Sequence, residues 1–184
     1  MPDIGNKIET ITLAGGCFWC TEAIFKRLSG VVWVMPGYSG GSVENPSYEQ
    51  VCSGTTGHAE AIQIEFDPKI IGLKKLLEVF FKLHDPTTLN RQGADVGTEY
   101  RSAIFYRDEK QKRIAEDTRS EIEKSGTYEN KIVTEIVPFK NFYKAENYHQ
   151  NYFENNRTAP YCQAVIDPKI RKLFSEFGKI TKES

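Results

Sequence analysis

The sequence predicts an α/β or α+β sandwich, with helices packed against one mixed β-sheet. Three observations carry that expectation. Segments that alternate apolar and polar residues take turns along the chain with segments of helical period. No repeat at a spacing of ~20–50 residues and no low-complexity block interrupts them. Glycine and proline are scattered instead of pooled into a linker, so the 184 residues read as one domain spanning 1–184.

Ile8 to Leu13 alternates and is rich in β-branched residues, which makes it a strand. Ala14-Gly15-Gly16 ends it, and a helix is expected from about Cys17 to Leu28, stopped by Ser29-Gly30. Val31 to Tyr38 reads as a second strand, followed by a long loop that runs to about Gly57. Ala59 to Phe66 alternates cleanly as a third strand. Leu73 to His84 is an amphipathic helix, with Leu76, Leu77, Phe80 and Phe81 on its apolar side. A polar second loop covers Thr87 to Glu99, and Ser102 to Tyr106 returns to strand. Asp108 to Ser125 is a charged helix closed by Gly126, Ile132 to Val137 another strand, and Ala145 to Asn155 a short helix. Cys162 falls in a stretch without period, read as irregular and flexible, and Lys169 to Phe177 forms a last turn or two of helix. Function is expected on the two long loops, because loops on a rigid scaffold carry chemistry.

Composition narrows the function classes. Lys plus Arg number 24 against 25 Asp plus Glu, a net charge of -1, which argues against a nucleic-acid binder. Charged residues are 27% and aromatics 12%, as in an ordinary globular chain and unlike a disordered one. The longest unbroken apolar run, Val31 to Met35, is far below the ~18 residues of a membrane span. Met1 to Lys7 has neither a basic flank nor an apolar core, so no secretory leader is expected and the cytosol is the expected compartment.

In a reducing compartment the four cysteines, Cys17, Cys20, Cys52 and Cys162, are buried hydrophobes, metal ligands or redox groups instead of structural bridges. Gly15-Gly16-Cys17-Phe18-Trp19-Cys20 places a thiol where a strand turns through glycine into a helix. Unpaired N–H groups and the helix dipole favour negative charge there, which would lower the Cys17 pKa and make it a nucleophile. The plainer alternative is a structural cysteine that happens to start a helix. Cys17 and Cys20 also form a Cys-x-x-Cys pair on one helix face, suited to a redox disulfide or to half a zinc site. No second ligand pair follows, so no metal is expected. Phe18 and Trp19 are either core packing or walls of an apolar pocket. On the pattern of the third strand alone, Glu60 reads as its solvent-facing member.

Gly16-Cys17-Phe18-Trp19 resembles the signature of the peptide methionine sulfoxide reductases of the A class. The resemblance extends through Gly37-Tyr38-Ser39-Gly40-Gly41, Asn45-Pro46-Ser47-Tyr48, Val51-Cys52-Ser53-Gly54-Thr55-Thr56-Gly57-His58-Ala59-Glu60 and Phe66-Asp67-Pro68. It continues through His84-Asp85-Pro86-Thr87, Asn90 to Thr98, Tyr100-Arg101-Ser102 and Tyr148-His149-Gln150, and covers about Ile8 to Phe177 in order. Two positions depart from the family pattern: Cys20 stands where many relatives carry glycine, and Glu99 where glutamine is common; the latter is expected to be a mild surface change.

The resemblance implies a two-layer fold with a ferredoxin-like core. It also implies thiol-dependent reduction of the S epimer of methionine sulfoxide, free or in proteins, without metal or organic cofactor. Cys17 would attack the sulfoxide sulfur and become a sulfenic acid. Glu60 would supply the proton that the oxygen needs to leave, from a pKa raised by desolvation. Tyr48 and Tyr100 would hydrogen-bond that oxygen. Asp95 would bind the substrate N–H, Phe18 and Trp19 would hold the ε-methyl, and His149 would lie at the rim of the site, unless it is a surface or capping residue. Cys162 would resolve the sulfenic acid, with Cys20 as the alternative or a relay, and thioredoxin would reset the disulfide. Cys52 would be a buried spectator. A monomer is expected. The rival reading is a dithiol–disulfide oxidoreductase working through Cys17 and Cys20, and a third is a thiol sensor that binds oxidised proteins without turnover.

Overall fold

The computed structural model describes residues 7–182, so most of the stretch read as leaderless lies outside the described residues. Strand β1 (Glu9–Gly15), helix α1 (Phe18–Phe25) and strand β2 (Val31–Ser39) form the first unit. Short helix α2 (Tyr48–Cys52), strand β3 (Ala59–Phe66) and helix α3 (Leu73–Leu83) follow. A small hairpin of β4 (Arg91–Gln92) and β5 (Asp95–Val96) leads through a 3-10 turn to β6 (Ser102–Tyr106). Then come α4 (Glu109–Lys124), β7 (Glu135–Pro138), β8 (Tyr143–Lys144), α5 (Tyr152–Asn155) and α6 (Asp167–Phe177).

Six strands make the main sheet in the order β7-β6-β1-β3-β2-β8. Only β6 and β7 run parallel; the other neighbours are antiparallel, so the sheet is mixed. The run β1-α1-β2-β3-α3-β6, with its strands ordered β6-β1-β3-β2, is the ferredoxin-like core. Ile11 and Leu13 of β1, Ile62, Ile64 and Phe66 of β3 and Val34 of β2 face the helices. Phe25, Leu76, Leu77, Phe80 and Phe81 close over them as the main core. The opposite face carries small residues, Ala14, Ala59, Ala61 and Ala103, under Val137, Phe139 and Phe142.

The departures from the sequence reading have local causes. Helix α1 starts one residue later, with Cys17 as its extended N-cap, and ends at Phe25 because Leu28 pairs with Thr181 instead. The first loop contains α2, secured by a capping box between Ser47 and Gln50. The expected helix over 145–155 is split into a 3-10 turn (Asn147–His149) and α5 by Asn151, which sits at φ 55. Cys162 is not in irregular chain. It opens a π-helical segment, Cys162–Ile166, that runs directly into α6.

Candidate functional site

Strand β1 delivers the chain to Gly16, whose φ of +88 and close approach to the Gln92 side chain exclude a larger residue. Cys17 follows as N-cap of α1 and is buried. The first amides of the helix are divided between two groups. The Phe18 N–H donates to Glu60 Oε2 at 3.0 Å, while the Trp19 N–H reaches the Cys17 sulfur.

Glu60 is only 2% exposed, which corrects its reading as a solvent-facing residue. Along β3 it shares a phase with Ile62, Ile64 and Phe66, and so points to the helices. Burial pushes its pKa up to about 8, the Phe18 N–H works against that, and the charges of Asp95, Glu99 and Cys20 add to it. The side chain therefore holds a proton at neutral pH.

The Cys17 thiol also departs from expectation. Burial raises its pKa well above the usual thiol value, and Cys20 and Glu60 reinforce the shift; the Trp19 amide opposes it without prevailing. The desolvation of a closed site outweighs one helix terminus. Cys20 moves the other way, to about 7, chiefly through the hydrogen bond from Cys17 and also through the charge of Lys169. In the hydrogen bond between the two thiols Cys17 is thus the donor and Cys20 the acceptor.

Tyr48 begins α2, and Tyr100 ends the 3-10 turn before β6. Both phenols are half-buried, and burial raises both pKa values, with Glu60 adding to each, so both remain protonated donors. Asp95 lies in the β4–β5 hairpin, where its Oδ2 accepts a hydrogen bond from Tyr161 at 2.8 Å.

His149 is not a surface residue. It is fully buried, with its ring against Phe18 at 5.0 Å and Tyr48 at 4.5 Å. Its Nδ1 accepts the Trp19 indole N–H at 3.0 Å. Trp19 is fixed further by stacking on Tyr152, with centroids 3.6 Å apart and planes 6° from parallel. Behind His149, Glu146 accepts from the Tyr38 hydroxyl at 3.0 Å and from the Tyr48 N–H at 3.2 Å. Of these groups, Trp19 and His149 are site candidates in the sequence, whereas Glu146 and Tyr152 carry no motif or period that singles them out.

Cys162 is fully buried in one apolar cluster with Cys17 and Cys20, alongside Ala23, Phe153 and Ile166. The fold thus gathers three of the four thiols, and all four are free. Cys52 is exposed, contrary to its reading as buried. Val51 takes the inward position of α2, which leaves Cys52 facing out, its sulfur accepting a hydrogen bond from the Tyr48 hydroxyl. Glu99 is no surface residue either; it is 5% exposed, with its carboxylate folded against Gly97. Among the described residues no three His, Cys, Asp or Glu side chains converge as a metal site, and no helix is long and apolar enough to cross a membrane.

A family model described as peptide methionine sulfoxide reductase matches residues 9–181. The peptide methionine sulfoxide reductase MsrA of Sulfolobus acidocaldarius is 56% identical over 170 residues, covering 92% of this chain and 96% of that protein. The reduced form of Mxr1 from Saccharomyces cerevisiae superposes with a TM-score of 0.78 at 40% identity, over 85% of this chain and 90% of that one. The same yeast protein in complex with Trx2 gives a TM-score of 0.56 at 31% identity, over 82% of this chain and 91% of that one.

Proposed function

This chain belongs to the peptide methionine sulfoxide reductase family, A class, and on that premise we propose that Cys17 is its nucleophile and Glu60 the acid that makes sulfoxide oxygen a leaving group. The observation that carries the reading is the buried, proton-holding Glu60 carboxyl, tied to the amide next to Cys17. A sulfoxide oxygen leaves only once it is protonated, and a carboxyl poised near 8 is an acid available at neutral pH.

The Cys17 proton passes to Cys20 as the sulfur attacks the S epimer of methionine sulfoxide. Glu60 protonates the oxygen, with Tyr48 and Tyr100 donating to it. A bond forms between the Cys17 sulfur and the substrate sulfur as the substrate's oxygen–sulfur bond breaks and the oxygen leaves as water. A water then attacks the Cys17 sulfur, the sulfur–sulfur bond breaks with its electron pair going to methionine, and Cys17 remains as a sulfenic acid. Phe18 and Trp19 hold the ε-methyl, with His149 behind them keeping Trp19 in place, and Asp95 takes the substrate N–H. Holding methyl and oxygen at different walls is what selects one epimer.

Two thiols serve recycling. Cys20, the alternative to Cys162 as resolving thiol, is in hydrogen-bond contact with Cys17 and on that ground attacks the sulfenic sulfur first; an S–S bond forms and the oxygen leaves as water. Cys162, in the same cluster, then exchanges onto Cys20, frees Cys17 and presents the oxidised pair to a dithiol of the thioredoxin type. The yeast complex with Trx2 supports that partner. The main core draws on elements from β1 to α6, which supports a single catalytic domain; we take it to act as a monomer, and free cysteines suit a reducing cytosol.

The test is single-turnover reduction of an S-sulfoxide. Cys17→Ser should abolish it, and Glu60→Gln should slow it by about 10²–10³ while Cys17 still alkylates. An unchanged rate in Glu60→Gln would remove the acid role. Turnover of protein disulfides without sulfoxide reduction would establish the oxidoreductase rival.

A further inference from the structure

We propose that Tyr161 is a specificity-determining gate: its phenol occupies the substrate's place on Asp95 and the place beside Cys20 that Cys162 must reach for recycling. The proposal rests on the roles of Asp95, Cys20 and Cys162 given above.

Four contacts converge on this one side chain. Its hydroxyl donates to Asp95 Oδ2 at 2.8 Å, as a substrate N–H would. The same oxygen lies 3.8 Å from Cys20 Sγ. Cys17 is also within hydrogen-bond reach of it. The ring stands edge-on to Trp19, with centroids 5.8 Å apart and planes at 79°, on the wall assigned to the substrate methyl. The phenol has a single proton to give, and the short contact to Asp95 claims it ahead of the 3.8 Å contact to Cys20. Substrate and Tyr161 therefore compete, and the apparent affinity is lowered by the fraction of molecules in which the gate is closed.

The backbone next to Tyr161 supplies a way to open. Cys162 is the neighbouring residue, and it starts the π-helical stretch Cys162–Ile166, while α6 beyond it is regular. A π turn carries about one residue more than an α turn and recurs at functional sites. If the stretch relaxes to α with α6 held fixed, the chain before it turns by roughly the 100° of one residue. That slip withdraws Tyr161 and carries Cys162 toward the position Tyr161 held, beside Cys20. Substrate entry and delivery of the recycling thiol then become the same movement.

Tyr161→Phe keeps the ring and removes the bond to Asp95. With pre-reduced enzyme, no added reductant and methionine S-sulfoxide as substrate, the half-saturation concentration in single turnover should fall about three- to tenfold. The maximal rate should stay within about twofold, as expected when only ground-state competition is removed. The Cys162-containing disulfide, mapped by mass after one turnover, should also appear faster. A half-saturation concentration that is unchanged or raised, or a collapse of the maximal rate, overturns the proposal; the collapse would mean that the phenol is a catalytic donor. The same titration in Cys162→Ser separates the two readings. The Tyr161→Phe effect persists there if the gate is real, whichever cysteine resolves, whereas a wild-type protein inert toward the sulfoxide would defeat the functional reading itself.

Discussion

The groups that attack the sulfoxide and the groups that cover and recycle the site are held in different ways. Cys17, Phe18 and Glu60 stand on β1, α1 and β3, elements locked into the main core, and the acid is tied to the helix by a single amide. His149, Tyr161 and Cys162 come from the chain after β8, where a 3-10 turn, a four-residue helix and a π segment follow each other. Both regions are buried, so burial does not distinguish them. Backbone regularity does. Chemistry that needs fixed distances sits on the sheet, and thiols that must exchange partners sit on a segment with an alternative hydrogen-bonding pattern close at hand.

The sharpest way to break this contrast is to remove one thiol from each region. In thioredoxin-coupled turnover, Cys162→Ser should lose at least about tenfold and accumulate a Cys17–Cys20 disulfide, because the mobile thiol can no longer carry the oxidation outward. Cys20→Ser should slow formation of the first disulfide and extend the life of the sulfenic acid, which a sulfenate-trapping reagent detects. Single-turnover sulfoxide reduction should survive in both. Full thioredoxin-coupled activity in Cys162→Ser would confine recycling to the rigid region and erase the division.

A second test acts on the rigid side alone. Glu60 has its pKa raised from 4.5 to about 8, so the folded state binds this proton more tightly than the unfolded chain does. The resulting loss of stability is absent below about pH 4.5, grows as the unfolded carboxyl ionises, and is complete above about pH 8. Glu60→Gln should therefore raise the melting temperature by several degrees at pH 9 and by very little at pH 5. Single-turnover reduction by the wild type should fall as pH rises through about 8, where the acid loses its proton. A Glu60→Gln melting curve displaced equally at both pH values would mean that Glu60 is not desolvated as described.

Much of the rigid region was legible in the sequence. The glycine turn before Cys17 and the period-two strands placed the thiol at a strand-to-helix junction, and β3 could have been read further. Glu60 falls in register with Ile62, Ile64 and Phe66, a phase that points inward and not to solvent. Cys17 was legible as a nucleophile but not as a thiol of raised pKa, because desolvation depends on what closes over a residue. The later region was hard to read for the same reason. The Trp19–His149 bond joins residues 130 positions apart, and a π segment has no period that distinguishes it from loop. The facing of Glu99 and Cys52 is hidden from the sequence because each lies in a short turn or helix, where one step along the chain reverses it.

The smallest predicted effect lies where the two regions meet. His149 joins them, because its Nδ1 accepts the Trp19 indole proton and its ring packs on Phe18 and Tyr48. With Nδ1 accepting, the ring proton is on Nε2, which is buried without a hydrogen-bond partner and faces Glu146 Oε2 at 4.0 Å. Burial lowers the His149 pKa, so the ring is neutral in the resting enzyme. Protonation would turn Nδ1 into a donor and set it against the Trp19 N–H. His149→Phe keeps the ring packing but leaves that N–H unpaired, a cost of about 1–3 kcal/mol that falls on the orientation of Trp19. The half-saturation concentration for sulfoxide should rise a few-fold, with the single-turnover maximum nearly intact and discrimination between the two epimers reduced. His149→Gln, which restores an acceptor at similar reach, should recover part of the loss. If both variants lose rate in place of affinity, His149 belongs with the reacting groups on the sheet, and the boundary between the two regions moves to include it.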